Sequence, residues 1–341
     1  MISVGVIGAG LIGQERLQAL DKLRTSGGAV NLVGLFDVNE QQLERSAAKF
    51  GVTTFASVDA LLAVQPDWVF VSLPHDVAVQ MTEKILKQSN SLVLLEKPMG
   101  RDLEEARRLR TLGGDRLRIG FNYRFYEGIR KALQDARNGR FGELISVEFT
   151  LGHGCGPGQE KTWKLDEERA GGGCLIDPGI HLLDLCMLLA PDGFQVTGGA
   201  SWSGFWKTGI EEDVSLVLAS GKTNFILQIS VVRWLSEFRM CVRGVEGYGT
   251  VTGRNRSYGP QRYAVGTRWG WRSAPSQVAS ETVEIETDGM DVFVHETEAL
   301  LFPPEDQLAQ WPAPATTAEA LQVMSLLDQI RAQIGLRRNF S

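Results

Sequence analysis

Short, fully apolar runs alternate with amphipathic stretches along the first third of the chain. ISVGVI (2–7), NLVGLFD (31–37), WVFVSLP (68–74), SLVLLEKP (91–98) and LRIGFNYRF (117–125) are β-branched or aliphatic runs without alternation. Runs of this kind predict strands buried on both faces. LIGQERLQALDKL, NEQQLERSAAKF and DVAVQMTEKILKQ lie between them with helical spacing, and Asn39 is placed to cap the second. Strand–helix alternation at this length predicts right-handed βαβ units and a parallel sheet.

The pattern changes after Gly120. RFYEGIRKALQDARNG reads as one amphipathic helix, and a second starts near Ile180. Strands then follow with little helix between them: FQVTGGASWSG, DVSLVLAS, TNFILQISVVRW, EFRMCVRG and QRYAVGTRWGW. Short Gly-, Ser- or Asn-containing turns between consecutive strands predict antiparallel pairing. In TNFILQISVVRW the residues Phe225, Leu227, Ile229 and Val231 form an apolar face, opposite a mixed face of Ile226, Gln228, Ser230, Val232 and Trp234. A capped helix from about Thr317 follows a Pro-rich link. The expected fold class is α/β: a parallel-sheet domain over 1–120, then an α/β domain over 121–341 with a large open, mainly antiparallel sheet.

Composition narrows the function classes. A 341-residue chain exceeds what one core usually serves, which agrees with two domains. The net charge of -6 provides no basic footprint for nucleic acid or an anionic membrane. No apolar run reaches the roughly 18 residues of a membrane span, and the first residues lack a signal-peptide pattern, so a cytoplasmic protein is expected. The four cysteines, Cys155, Cys174, Cys186 and Cys241, form no C-x-x-C pair and are read as reduced thiols. The four histidines include none at zinc-ligand spacing from a cysteine, so no metal is expected.

Three segments carry candidate chemistry. Gly8-Ala9-Gly10-Leu11-Ile12-Gly13 fits G-x-G-x-x-G between a strand and a helix, the context in which glycines let backbone approach a pyrophosphate at a helix N-terminus. Asp37 ends the second strand, where a carboxylate accepts from ribose hydroxyls and repels a 2′-phosphate. This points to NAD over NADP. Glu96 and Lys97 end a buried strand, at the carboxyl edge where open α/β sheets bind ligands. In GGGCLIDPGIHLLD, His181 is four residues from Asp177 and three from Asp184, which is general-base spacing if all three share one helical face.

The ordered set GAGLIG, FDVN, EKP, GFNYRF and GGGCLIDPGIHLLD resembles the glucose–fructose oxidoreductase / inositol dehydrogenase / rhizopine-catabolism (Gfo/Idh/MocA) family over nearly the whole chain. The resemblance implies a Rossmann domain followed by an open-sheet domain. It implies oxidoreduction of a sugar or polyol with a nicotinamide cofactor, and assembly through the outer sheet face as a homodimer or homotetramer. The catalytic lysine falls on Lys97, its acidic partner on Asp177 and the histidine on His181. Family members often carry a cis peptide at Lys97–Pro98. Candidate cofactor contacts are Gly8, Gly10, Leu11, Ile12, Gly13, Asp37, Leu73, Pro74, His75, Glu96, Lys97 and Asn122. Candidate substrate contacts are Lys97, Arg124, Trp163, Asp177 and His181. The sequence departs from the family where the usual T-P-N is Leu73-Pro74-His75 and where a common histidine is Ala78. HGCGPGQEKTWKLD, with His153, Lys161 and Trp163, resembles members that act on activated or phosphorylated sugars.

The expected activity is NAD(P)-dependent interconversion of a sugar or polyol carbinol and a ketone on a small-molecule substrate, with nucleotide sugars and sugar phosphates among the candidates. Rival readings are a diol dehydrogenase, an imine reductase or an NAD-dependent glycosidase on the same fold. A non-enzymatic NAD-binding sugar sensor, which would bind without turnover, is another.

Overall fold

The computed structural model describes residues 1–269, 280–285, 291–304 and 311–336. The expected strand end at Gly270 and Trp271 lies outside the described residues. The chain forms two compact units. One holds the described residues of 1–122 and 290–324, the other those of 123–289 and 325–341. The described residues of 291–324, which the sequence reading assigns to the second domain, therefore lie in the first unit.

The first unit runs β1 (Ile2–Ile7), α1 (Leu11–Thr25), β2 (Val30–Phe36), α2 (Glu40–Phe50), α3 (Val58–Ala63), β3 (Trp68–Val71), α4 (His75–Gln88), β4 (Leu92–Glu96), α5 (Leu103–Gly113) and β5 (Leu117–Gly120). β1 to β5 pair in parallel in the order β5-β4-β3-β1-β2. All four residues of β3 and the centre of β4 are buried, as their unbroken apolar runs require. Val4, Val6, Leu17, Leu20, Leu35 and Phe70 are fully buried in the core.

The second unit contains α6 (Glu127–Arg137), β6 (Leu144–Gly152), α7 (Glu167–Ala170), α8 (Ile180–Leu189), β7 (Gln195–Trp202), β8 (Asp213–Ser220), β9 (Thr223–Ser230), β10 (Glu237–Gly244), β11 (Gly247–Thr252), β12 (Gln261–Thr267) and β13 (Ser280–Ile285). Its eight strands run β13-β12-β11-β10-β6-β9-β8-β7, antiparallel throughout except for β6 against β9. β6 and β11 go unmarked in the sequence reading, and β6 makes the sheet mixed. Along β9, Phe225, Leu227 and Ile229 are buried and Ile226 faces outward, as the alternation requires. β9 ends at Ser230, so Val232 and Trp234 lie beyond the strand expected to carry them.

The chain then supplies α9 (Asp291–Leu301), β14 (Ala315–Thr316) and α10 (Thr317–Gln333). α9 packs on α1, and β14 pairs antiparallel with β5. Among the described residues no helix is long and apolar enough to cross a membrane.

Candidate functional site

The turn between β1 and α1 is dictated by its glycines. Gly8 has φ +97°, and a Cβ there would stand 2.3 Å from the Ser72 carbonyl oxygen. A Cβ on Gly13 would stand 2.0 Å from the Gly8 carbonyl oxygen, so only glycine lets the helix close onto the turn. Asp37 does not cap α2, because Asn39 does so by accepting from the Gln42 amide. Instead Asp37 ties the end of β2 to the glycine turn. Its Oδ2 accepts the Ala9 N–H at 2.6 Å, and its Oδ1 accepts the Asn39 N–H at 2.7 Å. Each carboxylate oxygen retains acceptor capacity beyond these bonds. Gln14 and Gln42, absent from the sequence reading, brace the same turn by donating to the Ala9 carbonyl.

Four features of this unit fit a dinucleotide. A Cβ on Gly10 would meet nothing within 4 Å, which leaves open space at the start of α1. That helix has no side-chain cap and no acidic residue in its first turn, so its N-terminal amides suit a phosphate. Ser72 Oγ and Asn122 Oδ1 are buried without a hydrogen-bond partner among the described residues, near the carboxyl ends of β3 and β5. Leu11 and Val38 are exposed beside the turn, at 71% and 87%, and offer apolar surface to a ring system. Leu73 and Pro74 are half-buried, and buried His75 opens α4. Lys97 follows the end of β4 and precedes a cis bond to Pro98, as the family resemblance implies.

Glu96 is engaged within the first unit. Its Oε1 accepts from Arg16 Nε at 2.6 Å, and Arg16 Nη2 donates to Glu296 at 2.5 Å. Arg16 is fully buried. Burial opposes its charge, but Glu296 and then Glu96 outweigh it and raise the guanidinium pKa. The carboxylate at the end of β4 thus belongs to an internal ion pair with Arg16.

In the second unit His181 is 5% exposed, near the start of α8. Asp177 precedes that helix, across a cis bond to Pro178, so it does not share a helical turn with His181. Asp184, three residues on from His181 in α8, is engaged by an arginine. It is fully buried and takes a bidentate pair from Arg124, Nε at 2.8 Å and Nη2 at 2.5 Å. Arg124, expected on the substrate, is thereby held at 1% exposure against a carboxylate. Asp177 Oδ2 meets Lys164 Nζ at 3.1 Å. That carboxylate raises the Lys164 pKa against the opposing effect of burial. Lys164 also lies 5.9 Å from the Trp163 ring centre, so Trp163, Lys164 and Asp177 form one group.

Glu211 and Arg331 escape sequence reasoning. Buried Glu211 shapes the glycine segment. Its Oε1 accepts the Gly173 and Leu175 amides at 3.0 and 3.3 Å. Gly173 is obligatory there, since its Cβ would lie 1.9 Å from the Glu211 carbonyl oxygen. Arg331 Nη2 donates to Gly171 O at 2.6 Å. The His153 pKa is lowered, chiefly by burial, and burial pushes the Cys155 thiol up to about 11. His153 Nδ1 accepts the Cys155 amide at 3.1 Å. Tyr123 stacks on His181 with ring centres 3.9 Å apart. Among the described residues no group of three His, Cys, Asp or Glu side chains is arranged to hold a metal ion.

Comparison with known proteins assigns the family. A model described as an oxidoreductase family with an NAD-binding Rossmann fold matches residues 2–115, and the GFO/IDH/MocA C-terminal domain matches residues 129–250. The chain belongs to the Gfo/Idh/MocA family. Its first unit is therefore an NAD-binding Rossmann domain, which agrees with the cofactor features above. Among curated Gfo/Idh/MocA relatives, the glucose-6-phosphate 3-dehydrogenase of Bacillus subtilis is 31% identical over 201 residues, 57% of this chain and 55% of the relative. The D-glucoside 3-dehydrogenase of Escherichia coli is 31% identical over 224 residues, 62% of this chain and 60% of the relative. The matched part thus spans little more than half the length of these two curated relatives. A solved levoglucosan dehydrogenase, in complex with NADH and levoglucosan, aligns over 98% of this chain and 97% of its own with a TM-score of 0.84. At 15% identity it establishes the shared fold.

Proposed function

We propose that this chain is a sugar dehydrogenase or reductase that interconverts a carbinol and a ketone, with NAD as the cofactor in preference to NADP. The observation that carries the reading is His181: a buried titratable ring just beyond Asp177, in a chain whose other unit is an NAD-binding domain with Lys97 at a strand end. The names of the curated relatives, which are dehydrogenases of glucose 6-phosphate and of D-glucosides, support a sugar hydroxyl as the reacting group.

The residues take distinct roles. In the oxidative direction an imidazole nitrogen of His181 accepts the hydroxyl proton. The Lys97 ammonium donates a hydrogen bond to the reacting oxygen and stabilises its developing negative charge. Asp177 and Lys164 hold each other and present polar groups to the sugar, with Trp163 as an apolar wall. Bound NAD supplies the hydride acceptor. Gly10 and the N-terminal amides of α1 receive the pyrophosphate, and Asp37 receives the ribose hydroxyls. Arg124 and Glu96 stay in their ion pairs and touch neither ligand.

The chain also assembles, in this reading, through the outer face of the second sheet. Val217 and Ile226 stand opposite each other on β8 and β9 and are each 39% exposed. Analytical ultracentrifugation at micromolar concentration is expected to show a dimer or tetramer; a monomer contradicts this part of the reading.

The deciding experiment incubates the full chain with NAD and a panel of D-glucose, D-glucose 6-phosphate and methyl D-glucosides while NADH absorbance is followed. NADH formation with at least one sugar is expected. Binding of sugar and NAD without turnover would replace the enzyme reading with a sensor.

A further inference from the structure

The His181 ring is one layer of a stack. Its imidazole lies nearly parallel to the Tyr123 ring, with centres 3.9 Å apart and planes 8° from each other. The Arg254 guanidinium carbon lies over the same Tyr123 ring, 4.8 Å from its centre. At van der Waals separation the imidazole already covers one face, so the guanidinium takes the other. Tyr126 and Phe238 close the edges of the Tyr123 ring, at 5.4 Å and 6.1 Å and near-perpendicular angles. Tyr123 is 3% exposed, and this enclosure leaves it little freedom to tilt.

Arg254 is itself gripped. Its Nη1 donates to Tyr126 Oη at 3.1 Å, and its guanidinium lies 4.2 Å from the Tyr258 ring centre. It rides on a closed loop between β11 and β12. Gly253 donates its amide to Phe238 O at 3.0 Å, and Asn255 donates to Gly259 O at 2.7 Å. Asn255 and Arg256 are consecutive non-glycine residues in the left-handed region, with φ of 64° and 53°. Such backbone is unfavourable for a residue with a Cβ and persists where its surroundings over-determine it, most often at functional sites.

From this geometry we infer that Tyr123 and Arg254 are positioning residues for His181. A histidine ring turns about a broad, shallow torsion, so burial alone does not fix the plane in which its nitrogens lie. A parallel aromatic face does, and a cation on the far side of that face holds the aromatic ring in turn. The 253–259 loop thereby sets the direction in which His181 takes up a proton, without touching substrate. This inference rests on the reading of His181 as the proton acceptor.

Two measurements test it. In the full chain with 13C-labelled histidine, the imidazole resonance that disappears in His181→Asn is expected upfield of the other three, because the Tyr123 ring current shields it. Tyr123→Leu should return it to the ordinary position, and Arg254→Met should move it partway. This readout needs no substrate. A His181 resonance at the ordinary position in the unaltered chain overturns the inference, as does one unmoved by Arg254→Met. The second measurement is steady-state kinetics on a sugar of the panel that is turned over. Arg254→Met is expected to lower kcat about tenfold with KM little changed, the scale of a small misplacement of a reacting group. Arg254→Lys should recover most of the loss, since it keeps a cation over the ring. Tyr123→Phe should retain most turnover, since it keeps the face. In a His181→Asn background Arg254→Met should cost nothing further. A loss that persists there means that Arg254 acts elsewhere, and the inference falls. Full turnover in His181→Asn defeats the functional reading, and the resonance measurement then still decides whether the stack exists. If Tyr123→Leu does not fold, Arg254→Met carries both tests.

Discussion

The first unit presents its candidate cofactor surface largely as backbone, whereas the second builds its candidate site from side chains brought together across the sequence. Gly8, Gly10 and Gly13 act by having no Cβ, and the N-terminus of α1 acts through its amides. All of this lies within six residues. In the second unit, Tyr123, His153, Lys164, Asp177, His181 and Arg254 come from four separate segments, held by Glu211 and by the Arg124–Asp184 pair. A backbone site tolerates almost no change at its turns, because the chain path is the site. A side-chain site tolerates change of path but depends on each supporting contact.

The largest expected effects test what the two units share. Each buries an arginine–carboxylate pair, Arg16 with Glu96 and Glu296 in one, and Arg124 with Asp184 in the other. Removing the cation leaves carboxylates uncompensated in the interior, at about 3–5 kcal/mol. Arg16→Met and Arg124→Met are each expected to lose about that much, measured by urea unfolding of the full chain. Arg16→Met strands two carboxylates and is expected to be the worse. A loss under about 1 kcal/mol in either would mean that the pair is dispensable.

Next is chemistry. Lys97→Ala and His181→Ala are each expected to lower turnover about a hundredfold or more, the scale of losing an oxyanion donor or a general base. If both serve one reacting oxygen, the double variant should be little worse than the worse single one. NAD titration separates the units here: affinity should hold in His181→Ala, a residue of the second unit. Near-unaltered turnover in either single variant would demote that residue to the fold.

These expectations also show what was legible in the sequence. The Rossmann unit was, because its strands are buried on both faces and its glycine turn is local. The family resemblance then supplied Lys97, Asp177 and His181. The ion pair of Glu96 was not legible, because its partner Arg16 lies 80 residues away. The Asp184–Arg124 pair escaped for another reason. Helical spacing assigns residues to faces, but α8 is buried on every side from Ile180 to Met187, so spacing could not say which neighbour each side chain meets. Asp177 was given a helical turn that starts three residues too late to include it. Arg254 and Tyr258 sit in a glycine-bounded loop carrying a cation and an aromatic residue, a weak signal of function whose partners are more than a hundred residues distant.

A smaller effect sharpens the backbone side of the comparison. Gly10 has φ −65° and open space where a Cβ would be. Gly10→Ala should therefore leave unfolding unchanged while weakening NAD about tenfold, since the methyl group occupies the approach of the pyrophosphate. Gly13→Ala should instead destabilise the unit, its Cβ lying 2.0 Å from Gly8 O. Calorimetric titration with NAD beside thermal melts distinguishes the two. Equal behaviour in both variants would remove the distinction between a glycine kept for the ligand and one kept for packing.

The smallest effect is in the acid dependence of stability, where the units should respond in different windows. The pKa of His153, in the second unit, lies below its ordinary 6.5, mainly through burial, with Lys164 and Arg254 lowering it further against Asp177. The folded chain then binds this proton more weakly than the unfolded chain does. The contribution is fully present above about pH 6.5 and is lost as pH falls toward the lower folded value. Asp67, in the first unit, lies below its ordinary 3.8 because the Ser3 hydroxyl and amide both donate to it at 2.7 Å. Its contribution is present above that value and is lost only in stronger acid. His153→Gln should flatten the fall in stability between pH 7 and pH 5 and leave the fall below pH 4 intact, while Asp67→Asn should do the reverse. Unfolding midpoints across the pH range decide it. A His153→Gln profile parallel to that of the unaltered chain between pH 7 and 5 would show that the imidazole takes up its proton as readily folded as unfolded, and that its burial in the second unit has no electrostatic consequence.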